Sequence, residues 1–182
     1  MLPIDTVAVV GATETGSTCA LLAALAGCAV RLSDPSQAAL ERAFDTVRRK
    51  IELACGSGVV TRTERQRTLD GLLFTSDLDE ALTGADLVVE ASADGGEGIC
   101  ALLAEALRAT TAVAAAGGAS PAALAARLPQ PGRVLVLRLV DAHGPVPRLD
   151  VLGVPTTTGH VLERALAFAA GVNRAARVPV AP

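Results

Sequence analysis

Gly11-Ala12-Thr13-Glu14-Thr15-Gly16 is the stretch of this chain with the clearest chemical purpose. It follows the β-branched run Thr6–Val10. It precedes Ser17–Ala26, a Leu/Ala-rich segment that has no breaker until Gly27. A second apolar run, Cys28–Ser33, ends on Asp34. Strand, glycine turn, helix, strand and acid is the order in which a chain holds a dinucleotide. The glycines allow a tight turn and close backbone approach to a pyrophosphate, the helix start faces the anion, and the acid accepts from ribose hydroxyls. Gly11 and Gly16 keep the first and third glycine roles. Thr13 stands in the middle position and puts a Cβ where the phosphates would approach. Glu14 adds a carboxylate that can satisfy the helix start and repel phosphate by on the order of 1 kcal/mol. Asp34 favours NAD over NADP, because it would repel a 2′-phosphate. The candidate cofactor-binding set is Gly11, Ala12, Thr13, Glu14, Thr15, Gly16 and Asp34. Glu90 joins it because it ends another strand at the sheet edge where ligands gather. A turn kept without any ligand is the plain alternative.

Other chemistries lack their residues. Of 16 basic residues 15 are Arg and only Lys50 is Lys, and no G-x-x-x-x-G-K-[ST] occurs, so a Walker phosphate loop is excluded. Four Cys are scattered without C-x-x-C spacing, which points to free thiols in a reducing, cytoplasmic setting and to no metal site. Trp and Tyr are absent, and the net charge is −3, so stacking or electrostatic binding of nucleic acid has no support. The longest uncharged run, Ala109–Ala126, is rich in Ala and Gly and contains Pro121, which argues against a membrane span. The N-terminus lacks the basic and apolar regions of a signal peptide.

The elements that would position these residues are read from periodicity and punctuation. A long helix is predicted from Ser36 to about Cys55, with Ser36 as N-cap and an apolar stripe of Ala39/Leu40, Ala43/Phe44, Val47 and Ile51. Gly56-Ser57-Gly58 breaks it, and a polar helical stretch starts at Thr63. The excursion, about residues 36–70, is long for a simple βαβ crossover. Leu72–Phe74, Asp86–Glu90, Ala112–Ala116, Arg133–Val140, Leu149–Val151 and Arg177–Val180 read as strands. Asp77–Leu82, Gly98–Ala109, Pro121–Leu128 and Val161–Ala170 read as helices. The strands are continuous apolar runs, as in a parallel sheet covered on both faces. With 182 residues of which 36 are Ala, the chain has room for one such unit with a core of small side chains. The expectation is a doubly wound, mostly parallel α/β fold over residues 1–182.

Four stretches together resemble the NAD-binding domain of 3-hydroxyacyl-CoA dehydrogenases. They are Val7–Gly16 with Asp34; the helical excursion Ala38–Thr68; Asp77–Leu82 followed by Gly84–Ala91; and Arg133–Leu137 leading through Pro145-Val146-Pro147 to Leu149-Asp150-Val151. The resemblance covers nearly the whole chain and implies a Rossmann fold with NAD as cofactor. In that family a helical C-terminal domain follows, supplying dimerisation and half of the substrate cleft; this sequence stops before it. The family uses a His as proton acceptor, a Glu twelve residues later to orient it, and a Ser that polarises the substrate oxygen. A gapless match puts Arg138 at the His, Asp150 at the Glu, Gly117 at the Ser and Asp141 where an Asn-Pro pair begins. Arg is no general base at neutral pH. Arg138 and Asp150 are therefore expected to form an ion pair that keeps the structure and removes the chemistry.

Two readings follow. In one, the chain is a stand-alone NAD(H)-binding relative with impaired or lost catalysis. It would bind an acyl thioester, on CoA or a carrier protein, and pair as a homodimer or with a partner protein. In the other, it is an active oxidoreductase on a 3-hydroxyacyl thioester, completed by a separate helical chain. His143 would then be the base and Asp150 its partner. The plainer roles are a solvated loop for His143, a capping or surface place for His160, and a turn for Asp94. Arg48, Arg49 and Lys50 would form a solvated helix face, and Cys100 would lie in the core.

Overall fold

The computed structural model of the chain describes residues 3–94, 103, 111–118, 120–140 and 146–176. The opening unit folds as its residues require. Strand β1 (Thr6–Val10) leads through the glycine turn into α1 (Glu14–Leu25), and β2 (Ala29–Ser33) follows. Helix α1 shows no apolar stripe because it is covered on all sides. Its Cys19, Ala20, Leu22 and Ala23 pack on the sheet, and its Leu21 and Leu25 meet Val47, Ile51 and Ala54 of the excursion.

The excursion consists of α2 (Gln37–Gly56) and α3 (Arg62–Asp70). The Ser36 side chain accepts from the Ala39 amide, so the predicted N-cap is in place. Thr61 and Glu64 close a reciprocal capping box at the start of α3. The buried stripe of α2 holds Ala39, Leu40, Ala43, Val47, Ile51 and Ala54. Phe44 is not part of it. It is 44% exposed and meets the edge of Phe74, with ring centroids 5.6 Å apart.

After α3 come β3 (Leu72–Thr75), α4 (Leu78–Leu82), β4 (Leu87–Glu90), β5 (Ala112–Ala115), α5 (Pro121–Arg127), β6 (Val134–Val140), β7 (Arg148–Gly153) and α6 (Gly159–Ala175). The seven strands form one sheet in the order β3-β2-β1-β4-β5-β6-β7. Every pair is parallel except β6 with β7, which is antiparallel. The doubly wound α/β expectation is met. Strands β4 and β5 are buried along their whole length, as continuous apolar runs predict. Strand order reverses between β2 and β4 on either side of β1, which makes a crevice at the carboxyl ends of β1 and β4. Of the helix expected at 98–109 only Leu103 is described, and it is helical and buried; the strand expected at 177–180 lies outside the described residues.

Candidate functional site

The glycine turn sits in that crevice. Gly11 has φ +99°, and a Cβ there would lie 2.5 Å from the Ser92 backbone, so only glycine fits. A Cβ on Gly16 would lie 2.1 Å from the Gly11 carbonyl oxygen, so the start of α1 can approach β1 only without a side chain. Thr13 is the N-cap of α1. Its hydroxyl donates to the Ala91 carbonyl at 2.8 Å and accepts from the Gly16 amide at 3.1 Å. The Thr13 side-chain oxygen is thus committed to the protein. The amides of Glu14 and Thr15, in the first turn, have no intrahelical acceptor, as at any helix start.

Asp34 joins the two halves of this site. One carboxylate oxygen accepts from the Ala12 amide at 2.9 Å and the other from the Ser36 amide at 2.9 Å. It therefore ties the glycine turn to the start of α2. A cavity of about 420 Å³ opens here, lined by Ala12, Thr13, Glu14, Asp34 and, from α2, Arg42 and Thr46. Arg31, the charged residue of β2, donates to the Thr83 carbonyl and is turned away toward α4.

Glu90 ends β4 with its side chain fully buried. Its Oε1 accepts from the Ser92 amide at 2.8 Å and contacts the Ser92 hydroxyl, which also lies 2.7 Å from Asp94 Oδ1. Burial raises the pKa of Glu90, against the opposing pull of the Ser92 bonds and with help from the nearby Asp94. Oε2 of Glu90 makes no hydrogen bond among the described residues.

A second cavity, about 520 Å³, lies on the other side of the glycine turn. Glu14, Thr15 and Thr18 of α1, Lys50 of α2, Ala115 and Gly117 after β5, and Val136–Leu139 of β6 line it. Lys50 is not part of a solvated face. Its ammonium is 2.7 Å from the Glu14 carboxylate and donates to Thr18 Oγ1 at 2.7 Å, and its side chain is only 14% exposed. Arg48 and Arg49 do face solvent. Arg138, which lines it, and Asp150 are direct cross-strand partners of the antiparallel pair. Their Nη2–Oδ2 contact is 3.3 Å. Arg148, two residues from Asp150 and on the same strand face, holds the same carboxylate more tightly, Nε to Oδ1 at 2.9 Å and Nη2 to Oδ2 at 3.3 Å. Arg148, with Arg138 contributing, keeps the Asp150 carboxyl below the usual carboxylate range against the upward pull of its partial burial.

The structure thus gathers Ala12, Thr13, Glu14 and Asp34 at one cavity and places Glu14, Thr15, Gly117 and Arg138 at the next. Glu90 lies behind both, withdrawn from solvent. His143 and Asp141 lie outside the described residues, as does Cys100. His160 is exposed in the first turn of α6, whose N-cap is Thr158. Three groups escaped the sequence reading. Thr13 as an N-cap was legible from residue type, since Thr favours that position. Arg148 was legible from i, i+2 spacing to Asp150 on a strand. The Lys50–Glu14 pair, 36 residues apart, left no local signal. Among the described residues no cluster of three His, Cys, Asp or Glu could hold a metal, and no helix is long and apolar enough to cross a membrane.

The family model described as "3-hydroxyacyl-CoA dehydrogenase, NAD binding domain" matches residues 6–181. The chain is 32% identical over 174 residues to a 3-hydroxybutyryl-CoA dehydrogenase of Mycobacterium tuberculosis, a match covering 93% of this chain and 60% of that protein. It is 32% identical over 168 residues to a 3-hydroxyadipyl-CoA dehydrogenase of Escherichia coli K12, covering 90% of this chain and 35% of the relative. Among solved structures, the 3-hydroxybutyryl-CoA dehydrogenase of E. coli K12 superposes with a TM-score of 0.83 at 32% identity, over 94% of this chain and 37% of that one. FadB2 of M. tuberculosis superposes with a TM-score of 0.84 at 30% identity, over 94% and 61%.

Proposed function

The chain belongs to the NAD-binding domain family of the 3-hydroxyacyl-CoA dehydrogenases, and from that premise we propose that it holds NAD(H) with its dehydrogenase chemistry impaired or lost. Residues 1–182 are read as one Rossmann-type unit. The glycine turn Gly11–Gly16, with the amides of Glu14 and Thr15, would face the pyrophosphate, and Asp34 the adenosine ribose. The residues fit that group. The glycine positions are closed to any Cβ by backbone atoms. Asp34 lines the adjoining cavity with oxygens that can each accept a further hydrogen bond. Glu90 acts through Ser92, whose backbone packs on Gly11. NAD, when bound, takes or gives a hydride; the chain must supply the proton acceptor.

The observation that carries the loss of catalysis is Arg138 paired across the strands with Asp150. This is where the family resemblance expects a His and its orienting carboxylate. A guanidinium stays protonated at neutral pH, so it accepts no hydroxyl proton. Gly117, lining the same cavity, offers no hydroxyl where the family has its Ser. The substrate class implied by the relatives, a 3-hydroxyacyl thioester, would meet a site that can bind but not deprotonate.

The test is NADH titration followed by nicotinamide fluorescence, with NADPH as control. The lack of Trp and Tyr leaves a quiet background. Saturable micromolar NADH binding, weaker NADPH binding and loss on Asp34→Ala are expected, without NADH formation from 3-hydroxybutyryl-CoA and NAD. Absence of NADH binding at millimolar concentration would refute the cofactor assignment. Turnover that disappears on His143→Ala would refute the loss of catalysis.

A further inference from the structure

We propose that the cavity between α1 and β6 is a binding site for a small apolar carboxylate, with Arg138 as the group that recognises it. This rests on the proposed reading of the Arg138 cavity as a site that binds without deprotonating, and names the ligand class it would take. Among the described residues three that carry charge line it: Glu14, Lys50 and Arg138. Glu14 and Lys50 neutralise each other at 2.7 Å. Arg138 has a carboxylate partner, Asp150, but that carboxylate is shared. Arg148 engages both its oxygens, whereas Arg138 reaches only Oδ2, at 3.3 Å. Two guanidinium groups and one carboxylate leave one positive charge, and Arg138, which lines the cavity, has a side chain that is 58% exposed.

The ligand class follows from the donor geometry and the walls. A guanidinium has five N–H donors in a planar fork that matches a carboxylate in two parallel bonds. Asp150 takes one Nη2 contact and leaves the rest of the fork for a second acceptor. Ala115, and Val136 on the same strand face as Arg138, offer an apolar wall for a short chain behind the head group. A phosphate dianion would bring two charges to a site with one uncompensated cation and Glu14 in its lining.

The experiment is calorimetric titration of the full chain with hexanoate, its neutral amide hexanamide, and inorganic phosphate. Arg138→Gln and Asp150→Asn are titrated alongside, with thermal melts reporting on folding and NADH titration of the same samples reading the cofactor site separately. Hexanoate is expected to bind near millimolar, about tenfold or more weaker in Arg138→Gln, and hexanamide not to saturate. Asp150→Asn releases Arg138 and should tighten hexanoate severalfold, a gain that a purely structural role for the ion pair would not produce. Equal binding of hexanoate and hexanamide, unchanged binding in Arg138→Gln, phosphate binding tighter than hexanoate, or no hexanoate binding by a folded chain would each overturn the proposal. A failure confined to NADH would leave it standing and count against the cofactor reading alone.

Discussion

Replacing Lys50 by Gln is expected to weaken NADH binding about fivefold at low salt. Glu14 is an acid in the first turn of α1, where a dinucleotide phosphate would sit. Left alone, its carboxylate would repel that phosphate. A pair of unit charges ~8 Å apart in an effective dielectric of ~40 interacts by about 1 kcal/mol. Lys50 removes most of this cost by placing its ammonium 2.7 Å from the Glu14 carboxylate, anchored by Thr18 Oγ1. Seen from a phosphate, the pair is a dipole rather than a charge. Lys50→Gln restores the bare carboxylate and about 1 kcal/mol of repulsion, which is the fivefold. Glu14→Gln should act in the opposite sense, because it bares Lys50, and the double variant should return near the parent. Glu14 is 64% exposed, so added salt should compress all these differences. Fluorescence titration of NADH on the four proteins at low and high salt gives the complete cycle. Two results would refute the argument: Lys50→Gln binding NADH as tightly as the parent at low salt, or a difference that salt does not reduce.

Two further perturbations probe the crevice from behind. Glu90→Gln replaces a buried carboxyl by a group that does not titrate. Burial raises the folded pKa of Glu90 above its unfolded value, so the parent loses stability as pH rises from about 4.3 through the folded pKa. The melting temperature of Glu90→Gln relative to the parent should therefore climb across that window and then level off. A pH-independent difference would show that Glu90 titrates alike in both states. Gly16→Ala sets a Cβ 2.1 Å from the Gly11 carbonyl oxygen, and should cost about 2–4 kcal/mol, read as a lower urea midpoint. An unchanged midpoint would mean that α1 can retreat from β1 freely.

The sequence carried most of the scaffold. The apolar runs of β1, β4 and β5 have no alternation because both faces are covered, and burial on both faces is what a parallel sheet demands. Ser36 before α2 and Pro121 at the start of α5 announced those helices by residue type alone. Phe44 was misplaced because spacing on a helix shows which residues share a face but not where that face meets its neighbour's edge. The same limit hid the meaning of Lys50, which periodicity assigns to a solvated surface.

The sequence by itself determined the order of strand, glycine turn, helix and acid, and the substitution of Arg138 where the family resemblance expects a proton acceptor. These are properties of residue type and short spacing. Tertiary structure decided how the charges balance. It brought Lys50 onto Glu14 from another helix, put Arg138 opposite Asp150 by strand register, and made Arg148 the stronger claimant on that carboxylate. It also turned the Thr13 hydroxyl inward onto the Ala91 carbonyl. Charge–charge and hydrogen-bond energies depend on separation in space and on burial, and neither is fixed by distance along the chain.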